Sequence, residues 1–195
     1  KQWDKAVQAY LATISFADAQ IGRVLDALDR SGHADNTIVV LWGDHGWHLG
    51  EKNHWRKHAL WDVSTRTPLI FSAPRGVAKD KLCQRPVSLI DIYPTLIDLC
   101  GLPKRKGLDG QSLKPLLQNP GVKWERPVVI TYGLNNHAVQ TERWRYIRYR
   151  DGGQELYDHE RDPNEWTNLA FIPKYSPQKT KISKWLPSTN GEPKK

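Results

Sequence analysis

The sequence predicts an α/β fold followed by a small antiparallel sheet, and three observations lead to this prediction. A long helical pattern is followed by two short apolar runs and then by a second helical pattern. This alternation of helices and strands favours a doubly wound α/β layer. Near residue 108 prolines and glycines become frequent, and short strand-like runs follow them. We therefore expect an α/β portion over residues 1–120 and a small α+β subdomain over residues 121–195.

The two predicted helices differ in length. Apolar residues recur at every third or fourth position from Trp3 to Arg30, which predicts a long amphipathic helix. Asp18 falls on its apolar stripe, so we expect a buried carboxylate with a structural hydrogen-bond partner. A second helix is predicted from Ile92 to Leu99, with Asp91 as its N-cap.

Two apolar runs predict buried strands, Thr37 to Trp42 and Leu69 to Ala73. The first run stops at Gly43-Asp44-His45-Gly46, where the glycines permit a sharp turn and a close approach of the backbone to a ligand. Since open α/β sheets bind ligands beyond the carboxyl ends of their strands, Asp44 and His45 are candidate metal ligands. The alternative is a turn in which Asp44 binds its own backbone.

The residues after this turn predict a functional loop. Three histidines crowd it, at positions 48, 54 and 58, among charged and aromatic neighbours. A polar, irregular loop that follows a buried strand is more often functional than a spacer.

The second half of the chain predicts a small sheet. Its strand-like runs are Val128–Tyr132, Ala138–Thr141, Arg145–Arg150 and Glu155–Tyr157. Asp151-Gly152-Gly153 predicts a hairpin between the last two runs. Arginines alternate with aromatic residues from Arg143 to Arg150, which favours a strand with one charged face over a nucleic-acid surface. A short helix is predicted to begin at Asp162-Pro163.

Composition excludes some classes of protein. The net charge of +8 favours polyanionic ligands, although residues 174–195 carry part of the charge and we interpret them as a solvated tail. No apolar run reaches the roughly 18 residues of a membrane span.

Cys83 and Cys100 form no Cys-x-x-Cys pair, and we expect two thiols rather than a disulfide. The chain contains no methionine and no visible secretory signal, so we interpret it as a processed product or a piece of a longer protein.

A family resemblance rests on a series of motifs in order. The stretch Trp42–Glu51, then Lys57, then Thr67–Phe71 resembles the second half of a type I sulfatase of the alkaline-phosphatase-like superfamily. The iduronate-2-sulfatase-like group is the most similar. The stretches Ser15–Arg23 and Glu155–Pro163 belong to the same pattern, so the resemblance runs from about residue 10 to about residue 170.

The resemblance implies the C-terminal half of an alkaline-phosphatase-like α/β sandwich with a small antiparallel-sheet subdomain. It implies that Asp44 and His45 bind Ca²⁺, with Mg²⁺ or Mn²⁺ as alternatives, and that Lys57 grips the sulfate and the leaving oxygen. Two further side chains, Trp47 and His48, would line the substrate pocket. The resemblance also puts His137 at the pocket, although a strand-end histidine with a backbone partner is an equal interpretation.

Two parts of the family's machinery are missing from this sequence. The family's nucleophile is a formylglycine made within Cys/Ser-x-Pro/Ala-x-Arg, and Cys100–Arg105 has similar residues at the wrong spacing. The family's first metal-binding pair, two consecutive aspartates, is absent as well. The resemblance thus implies a C-terminal portion that is inactive alone, whose partner is the N-terminal part of the same enzyme, in a secreted or periplasmic protein.

Three functions stay open at this point. The first is a sulfatase acting on a sulfated carbohydrate, with no nucleic-acid partner. The second is a phosphatase, phosphodiesterase or phosphonate hydrolase of the same superfamily. The third is a polyanion-binding module without catalysis.

Overall fold

The computed structural model describes residues 1–188 and begins with one long helix. Helix α1 spans Gln2–Arg30, which confirms the predicted helix, but none of its residues is buried. The apolar stripe is open, with Trp3 and Phe16 exposed by 57% and 68%. The expectation of a buried Asp18 is wrong, because this side chain is exposed together with the stripe on which it lies.

A two-stranded antiparallel pair follows α1. Strand β1 (Val39–Trp42) pairs with β4 (Leu69–Ser72), and the register runs from Val39 opposite Ser72 to Trp42 opposite Leu69. Burial on both faces is not observed, since β1 is partly buried and Trp42 is 51% exposed. Between them lie the short antiparallel strands β2 (His48–Leu49) and β3 (Trp55–Arg56) and the one-turn helix α2 (Asp62–Thr65).

Two helices occupy the middle of the chain. Helix α3 spans Ile92–Leu99 as predicted, while α4 (Lys114–Gln118) lies in the stretch rich in proline and glycine, where no helix was predicted. Asp91 is the N-cap residue of α3, as predicted, but its side chain makes no capping hydrogen bond to this helix. This buried carboxylate instead accepts hydrogen bonds from the backbone N–H of Ser88 (3.0 Å) and Gln111 (2.8 Å) and pairs with Arg126 (2.6 Å).

The core lies in a four-stranded antiparallel sheet of consecutive hairpins. Its strands are β5 (Val128–Thr131), β6 (His137–Gln140), β7 (Trp144–Arg148) and β8 (Gln154–Asp158). The hairpin predicted at residues 151–153 is confirmed. Four residues on its two faces have no exposed surface: Ala138, Val139, Ile147 and Leu156.

The chain after the sheet differs from the prediction. No helix begins at Asp162, whose carboxylate accepts hydrogen bonds from the backbone N–H of Trp166 (3.0 Å) and Thr167 (2.7 Å) in a turn. The segment interpreted as a solvated tail contains helix α5 (Ser176–Ser183), whose Ile182 is buried against the sheet. Only the part of the tail after residue 188 lies outside the described residues.

Two further expectations can be compared with the structure. Cys83 and Cys100 are free thiols, as predicted. Within residues 1–188, no helix combines the length and the apolar character that crossing a bilayer requires.

Candidate functional site

The turn that follows β1 depends on its two glycines. The backbone N–H of Gly46 donates to Ser64 O at 2.8 Å, and a Cβ on Gly46 would lie 1.9 Å from Val63 O. The Thr67 hydroxyl donates to Gly43 O at 2.7 Å, and a Cβ on Gly43 would lie 2.6 Å from that hydroxyl. The turn is therefore packed against the α2–β4 segment, which leaves no room for a side chain at position 46.

Asp44 and His45 converge at this turn. His45 Nε2 lies 3.4 Å from Asp44 Oδ2, and the Asp44 side chain is 82% exposed. His45 Nδ1 lies 2.7 Å from Gly46 O, so the Nδ1–H donates to this carbonyl. The hydrogen bond selects the tautomer in which Nε2 carries a lone pair, which is the arrangement of a metal-binding histidine.

The pair fits part of a divalent-cation site. Two ligands that bind one Ca²⁺ at about 2.4 Å and at right angles are about 3.4 Å apart, as Asp44 Oδ2 and His45 Nε2 are here. Among the described residues, however, no group of three or more His, Cys, Asp or Glu side chains surrounds a common point. The described chain thus supplies two donors of a coordination shell that needs several more oxygen ligands.

Trp47 connects the turn to α1. Its ring stacks on Tyr10 of α1, with 6.0 Å between centroids, and on His45, with 6.1 Å between centroids. Trp47 therefore fixes one side of the Asp44–His45 pair, and its predicted contact with substrate stays a prediction.

The structure places His48 inside the loop, with no exposed surface. Its Nδ1–H donates to Glu51 O at 3.3 Å, and its ring packs edge-on against His54 and Trp61. Burial, and after it the neighbouring His54, lowers the pKa of His48, so this ring is neutral at pH 7. Here His48 supports the loop, and its predicted lining of the substrate pocket stays a prediction.

Lys57 lies half-buried in the loop and its ammonium has no ion-pair partner within residues 1–188. Its carbonyl accepts a hydrogen bond from His54 Nε2 at 3.0 Å. The residues on either side, Arg56 and His58, have φ angles of 70° and 75°. Such left-handed backbone is costly for residues other than glycine and persists only where surrounding contacts hold it.

A buried ion cluster holds the end of this loop against the sheet. Arg145 on β7 is 2% exposed and pairs with Asp62 Oδ1 at 2.8 Å and with Glu165 Oε1 at 2.9 Å. It also donates to Leu60 O at 2.8 Å. The His159 ring completes the ion cluster, with Nε2 at 2.8 Å from Glu165 Oε1. Arg145 thus serves internal pairing rather than polyanion binding.

A second set of contacts joins the loop to β8. Trp61 Nε1 donates to Glu155 Oε2 at 2.7 Å, and the Tyr157 hydroxyl donates to the same oxygen at 2.6 Å. Lys52 Nζ donates to the carbonyl of Glu165 and lies 4.9 Å and 4.7 Å from the Trp61 and Tyr157 ring centroids. The ammonium is therefore held between two aromatic faces, an arrangement that cation–π attraction stabilises.

His137 begins strand β6 and is 1% exposed. Its Nδ1 lies 2.9 Å from the Thr131 hydroxyl on the paired strand β5. This contact is structural, and the predicted approach of His137 to the substrate stays a prediction.

A pocket of about 240 Å³ lies between the loop and the turn that joins β5 to β6. We call it the ring pocket, and its walls include His54, His58, Leu60, Trp61, Tyr132, Asn136 and Tyr149. The sequence offered one signal for it, the histidine-rich loop. The family resemblance placed His137, which directly follows the β5–β6 turn, at the pocket, but no residue pattern by itself indicated that this turn lies opposite the loop.

Comparisons with known proteins agree with this architecture. A family model described as Sulfatase matches residues 1–102. A protein of Formosa agariphila called sulfatase is 47% identical over 190 residues, which cover 97% of this chain and 37% of the relative. The chain therefore spans little more than a third of the length of that relative.

Solved structures share the fold. A protein solved in complex with its substrate D-glucosamine-2-N,6-O-disulfate is 29% identical, with a TM-score of 0.77, covering 90% of this chain and 38% of the other. The phosphonate monoester hydrolase of Agrobacterium radiobacter is 27% identical, with a TM-score of 0.75, covering 88% and 38%. These similarities confirm the predicted alkaline-phosphatase-like α/β class with its small antiparallel sheet.

Proposed function

This chain belongs to the sulfatase family, and we propose that it forms the C-terminal portion of an enzyme that hydrolyses sulfate esters of a sulfated carbohydrate. The observation that supports this proposal most is the convergence of Asp44 Oδ2 and His45 Nε2 to 3.4 Å at an exposed strand end. The similarity to a structure with a sulfated glucosamine bound supports the choice of substrate class.

Sulfate-ester hydrolysis requires a nucleophile, charge neutralisation at the sulfate oxygens and stabilisation of the leaving oxygen. In this proposal, Asp44 and His45 would hold a divalent cation, Ca²⁺ first and Mg²⁺ or Mn²⁺ as alternatives. The bound cation supplies positive charge that draws electron density from the sulfate group. The unpaired ammonium of Lys57 would bind the sulfate and the leaving oxygen, because no carboxylate of the described residues neutralises it.

The nucleophile lies outside these residues in this proposal. A formylglycine and a further pair of aspartates in the N-terminal part would complete the site, consistent with the 37% of the relative's length that the chain spans. The isolated chain would then bind but not turn over its substrate. The complete enzyme would be secreted or periplasmic, and the iduronate-2-sulfatase-like group remains the subfamily that we favour.

Phosphonate-ester hydrolysis is the second candidate, because the fold is also similar to that of a phosphonate monoester hydrolase. In this proposal both reactions would use a metal and a cationic donor, so the site residues do not distinguish them. A kinetic comparison of two substrates does. The test is the ratio of kcat/KM for 4-nitrophenyl sulfate to that for a 4-nitrophenyl phosphonate ester, measured on the full-length enzyme. A preference for the phosphonate would replace the sulfatase assignment.

Substitution of Lys57 tests the site itself. Lys57→Ala should lower kcat for sulfate esters by about 100-fold or more, as loss of one oxyanion donor does. Lys181→Ala, which removes an exposed lysine from α5, is the matched control and should leave kcat unchanged. If Lys57→Ala and Lys181→Ala have the same kcat, Lys57 does not take part in the reaction.

A further inference from the structure

We propose that Glu165 is a positioning residue for Lys57, because it binds both ends of the loop segment that carries this lysine. The carbonyl of Glu165 accepts a hydrogen bond from the side chain of Lys52, where the segment begins. The carboxylate of Glu165 accepts one from the backbone of Asp62, where the segment ends. This inference rests on the proposed role of Lys57 and adds to it the residue that keeps the lysine in place.

The segment from residue 52 to residue 62 has little regular structure that could fix Lys57. Strand β3 pairs with β2 over two residues only, and helix α2 begins at Asp62. Residues 57–61 between them belong to no helix or strand. Because Lys57 lies midway along the segment, its position depends on where the two ends are held.

The backbone of the segment is strained. Its residues with φ angles between 55° and 75° are Lys52, Asn53, Arg56 and His58. Within residues 1–188, seven residues other than glycine have a positive φ, and five of the seven are these four and Glu165, at 60°. Left-handed backbone of this kind is costly outside glycine and persists only where surrounding contacts hold it. The segment therefore keeps its shape through contacts, and Glu165 supplies one at each end.

The carboxylate of Glu165 holds the end of the segment. Glu165 is 2% exposed, and its Oε2 accepts a hydrogen bond from the backbone N–H of Asp62 at 2.9 Å. Its Oε1 lies 2.9 Å from Arg145 Nε and 2.8 Å from His159 Nε2. Arg145 belongs to β7 and His159 directly follows β8, so the sheet with the buried core orients this carboxylate. A charged acceptor binds a backbone N–H more strongly than a neutral acceptor does.

The backbone carbonyl of Glu165 holds the beginning of the segment. It accepts a hydrogen bond from Lys52 Nζ, which also lies 3.2 Å from the Tyr157 hydroxyl. Lys52 and Asp62 precede Glu165 by 113 and 103 residues. One residue from the distant C-terminal part of the chain thus fixes the separation between the two ends of the segment.

The effect on the reaction follows from how closely a group that stabilises charge must be placed. A displacement of about 1 Å can cost on the order of 100-fold in rate. Lys57 is proposed to bind the leaving oxygen, whose charge develops in the transition state. Release of either end of the segment should therefore lower kcat more than it changes KM.

Glu165 also belongs to the buried ion cluster, so its loss lowers stability as well. A double-mutant cycle separates an effect through Lys57 from an effect on folding. A smaller folded fraction lowers the rate by the same factor whether or not Lys57 is present. A residue that acts through Lys57 has no further effect once this lysine has been removed.

The cycle is measured on the full-length enzyme with 4-nitrophenyl sulfate. Glu165→Gln and Lys52→Met, one variant for each end of the segment, should each lower kcat about tenfold and change KM less than about threefold. In the Lys57→Ala background, the same two substitutions should lower kcat less than about twofold. Glutamine keeps the size of the glutamate side chain, and methionine keeps an apolar stem beside the Trp61 and Tyr157 rings.

The chain offers a matched control for each variant. Lys179 on α5 makes contacts of the same kind as Lys52, since its Nζ donates to Ala170 O at 2.9 Å and lies 5.7 Å from the Phe171 ring centroid. Glu160 is a glutamate 63% exposed in the same turn as Glu165. Lys179→Met and Glu160→Gln should leave kcat unchanged.

Two results would overturn the positioning role of Glu165. One is an equal fold loss in kcat with and without Lys57, and the other is an unchanged kcat in Lys52→Met and Glu165→Gln. If Glu165→Gln does not fold, Lys52→Met decides between these outcomes. An unchanged kcat in Lys57→Ala itself would instead refute the proposed role of Lys57, and a wild-type enzyme that hydrolyses no sulfate ester would refute the proposed function.

Discussion

The first hundred residues and the four-stranded sheet differ in how they bury their apolar side chains. Helix α1 has no buried residue, and Val24 on it is 68% exposed. In the sheet, by contrast, Ile147 and Leu156 have no exposed surface. The candidate metal ligands therefore lie on the part of the chain with little core of its own. The loop that follows them is held by the part that has a core.

The structure therefore has one part that positions the loop, called here the holding side, and another part that carries the proposed chemistry, called here the chemical side. The holding side consists of the ion cluster around Arg145 and the Glu155 contacts, whose side chains are buried or partly buried. The chemical side consists of the proposed site residues Asp44, His45 and Lys57, of which Asp44 is 82% exposed. We expect substitutions on the holding side to lower stability, and substitutions on the chemical side to lower activity.

The largest effect is expected at Arg145. Arg145→Met removes the buried cation that Asp62 and Glu165 share and leaves them only the exposed Arg66 and the His159 ring as partners, which should lower the free energy of unfolding by about 3–5 kcal/mol. Urea denaturation of the isolated chain measures this. Arg161→Met is the control, since this arginine is 70% exposed and lies 3.8 Å from Asp158, and it should cost less than about 0.5 kcal/mol. Similar losses in the two variants would mean that the ion cluster does not hold the loop.

Gly46 should give the next largest effect. In Gly46→Ala the new Cβ would overlap Val63 O, and the backbone must move, at a cost of about 1–3 kcal/mol. Gly22→Ala on α1 is the control, and it should raise the free energy of unfolding. No atom lies within 4 Å of the Cβ that it would add, and alanine is favoured over glycine in helices by about 1 kcal/mol. Thermal unfolding of both variants checks the pair. A stable Gly46→Ala variant would show that the turn is looser than the structure indicates.

Alkaline pH should weaken the holding side. Burial, and after it the Glu155 carboxylate, raises the pKa of Tyr149 and Tyr157 well above the usual value of 10.0. The unfolded chain therefore ionises these hydroxyls first, so stability is unchanged below pH 10 and falls above it. The slope is about 1.4 kcal/mol per pH unit for each tyrosine. Urea midpoints between pH 9 and pH 11 should fall less steeply in Tyr157→Phe, and an unchanged slope would contradict the assignment.

The smallest effect is expected at Trp61. Trp61→Phe keeps a six-membered aromatic ring but removes the indole N–H that donates to Glu155. Because Glu155 retains both tyrosine partners, the loss of this hydrogen bond should lower the free energy of unfolding by about 1 kcal/mol. Trp166→Phe, at a position 62% exposed, is the matched control and should be neutral. If Trp166→Phe lowers the free energy of unfolding by as much as Trp61→Phe does, the hydrogen bond to Glu155 does not contribute to stability.

Local patterns predicted most of the elements. The periodicity of α1 and α3, the apolar runs of β1 and β4 and the hairpin after β7 are all encoded by neighbouring residues. Burial was less predictable, because a stripe at helical spacing does not specify what covers it. Short helices such as α5, with only Ile182 buried, carry too little periodicity for detection.

The candidate site was predictable where its residues are contiguous and unpredictable where they are not. Asp44 and His45 occupy one motif, so their convergence follows from the turn itself. Arg145 reaches Asp62 across 83 residues and the ring pocket joins segments that are as distant, so neither has a local signal. Long-range pairing of charges and rings depends on the tertiary fold.

The most direct measurement of the central claim is the position of a bound metal. A crystal of the full-length enzyme soaked in Mn²⁺ should show an anomalous difference peak within about 2.6 Å of both Asp44 Oδ2 and His45 Nε2. Asp44→Ala should lose the peak while retaining the fold. A cation bound away from both side chains, or retained unchanged in Asp44→Ala, would contradict the account.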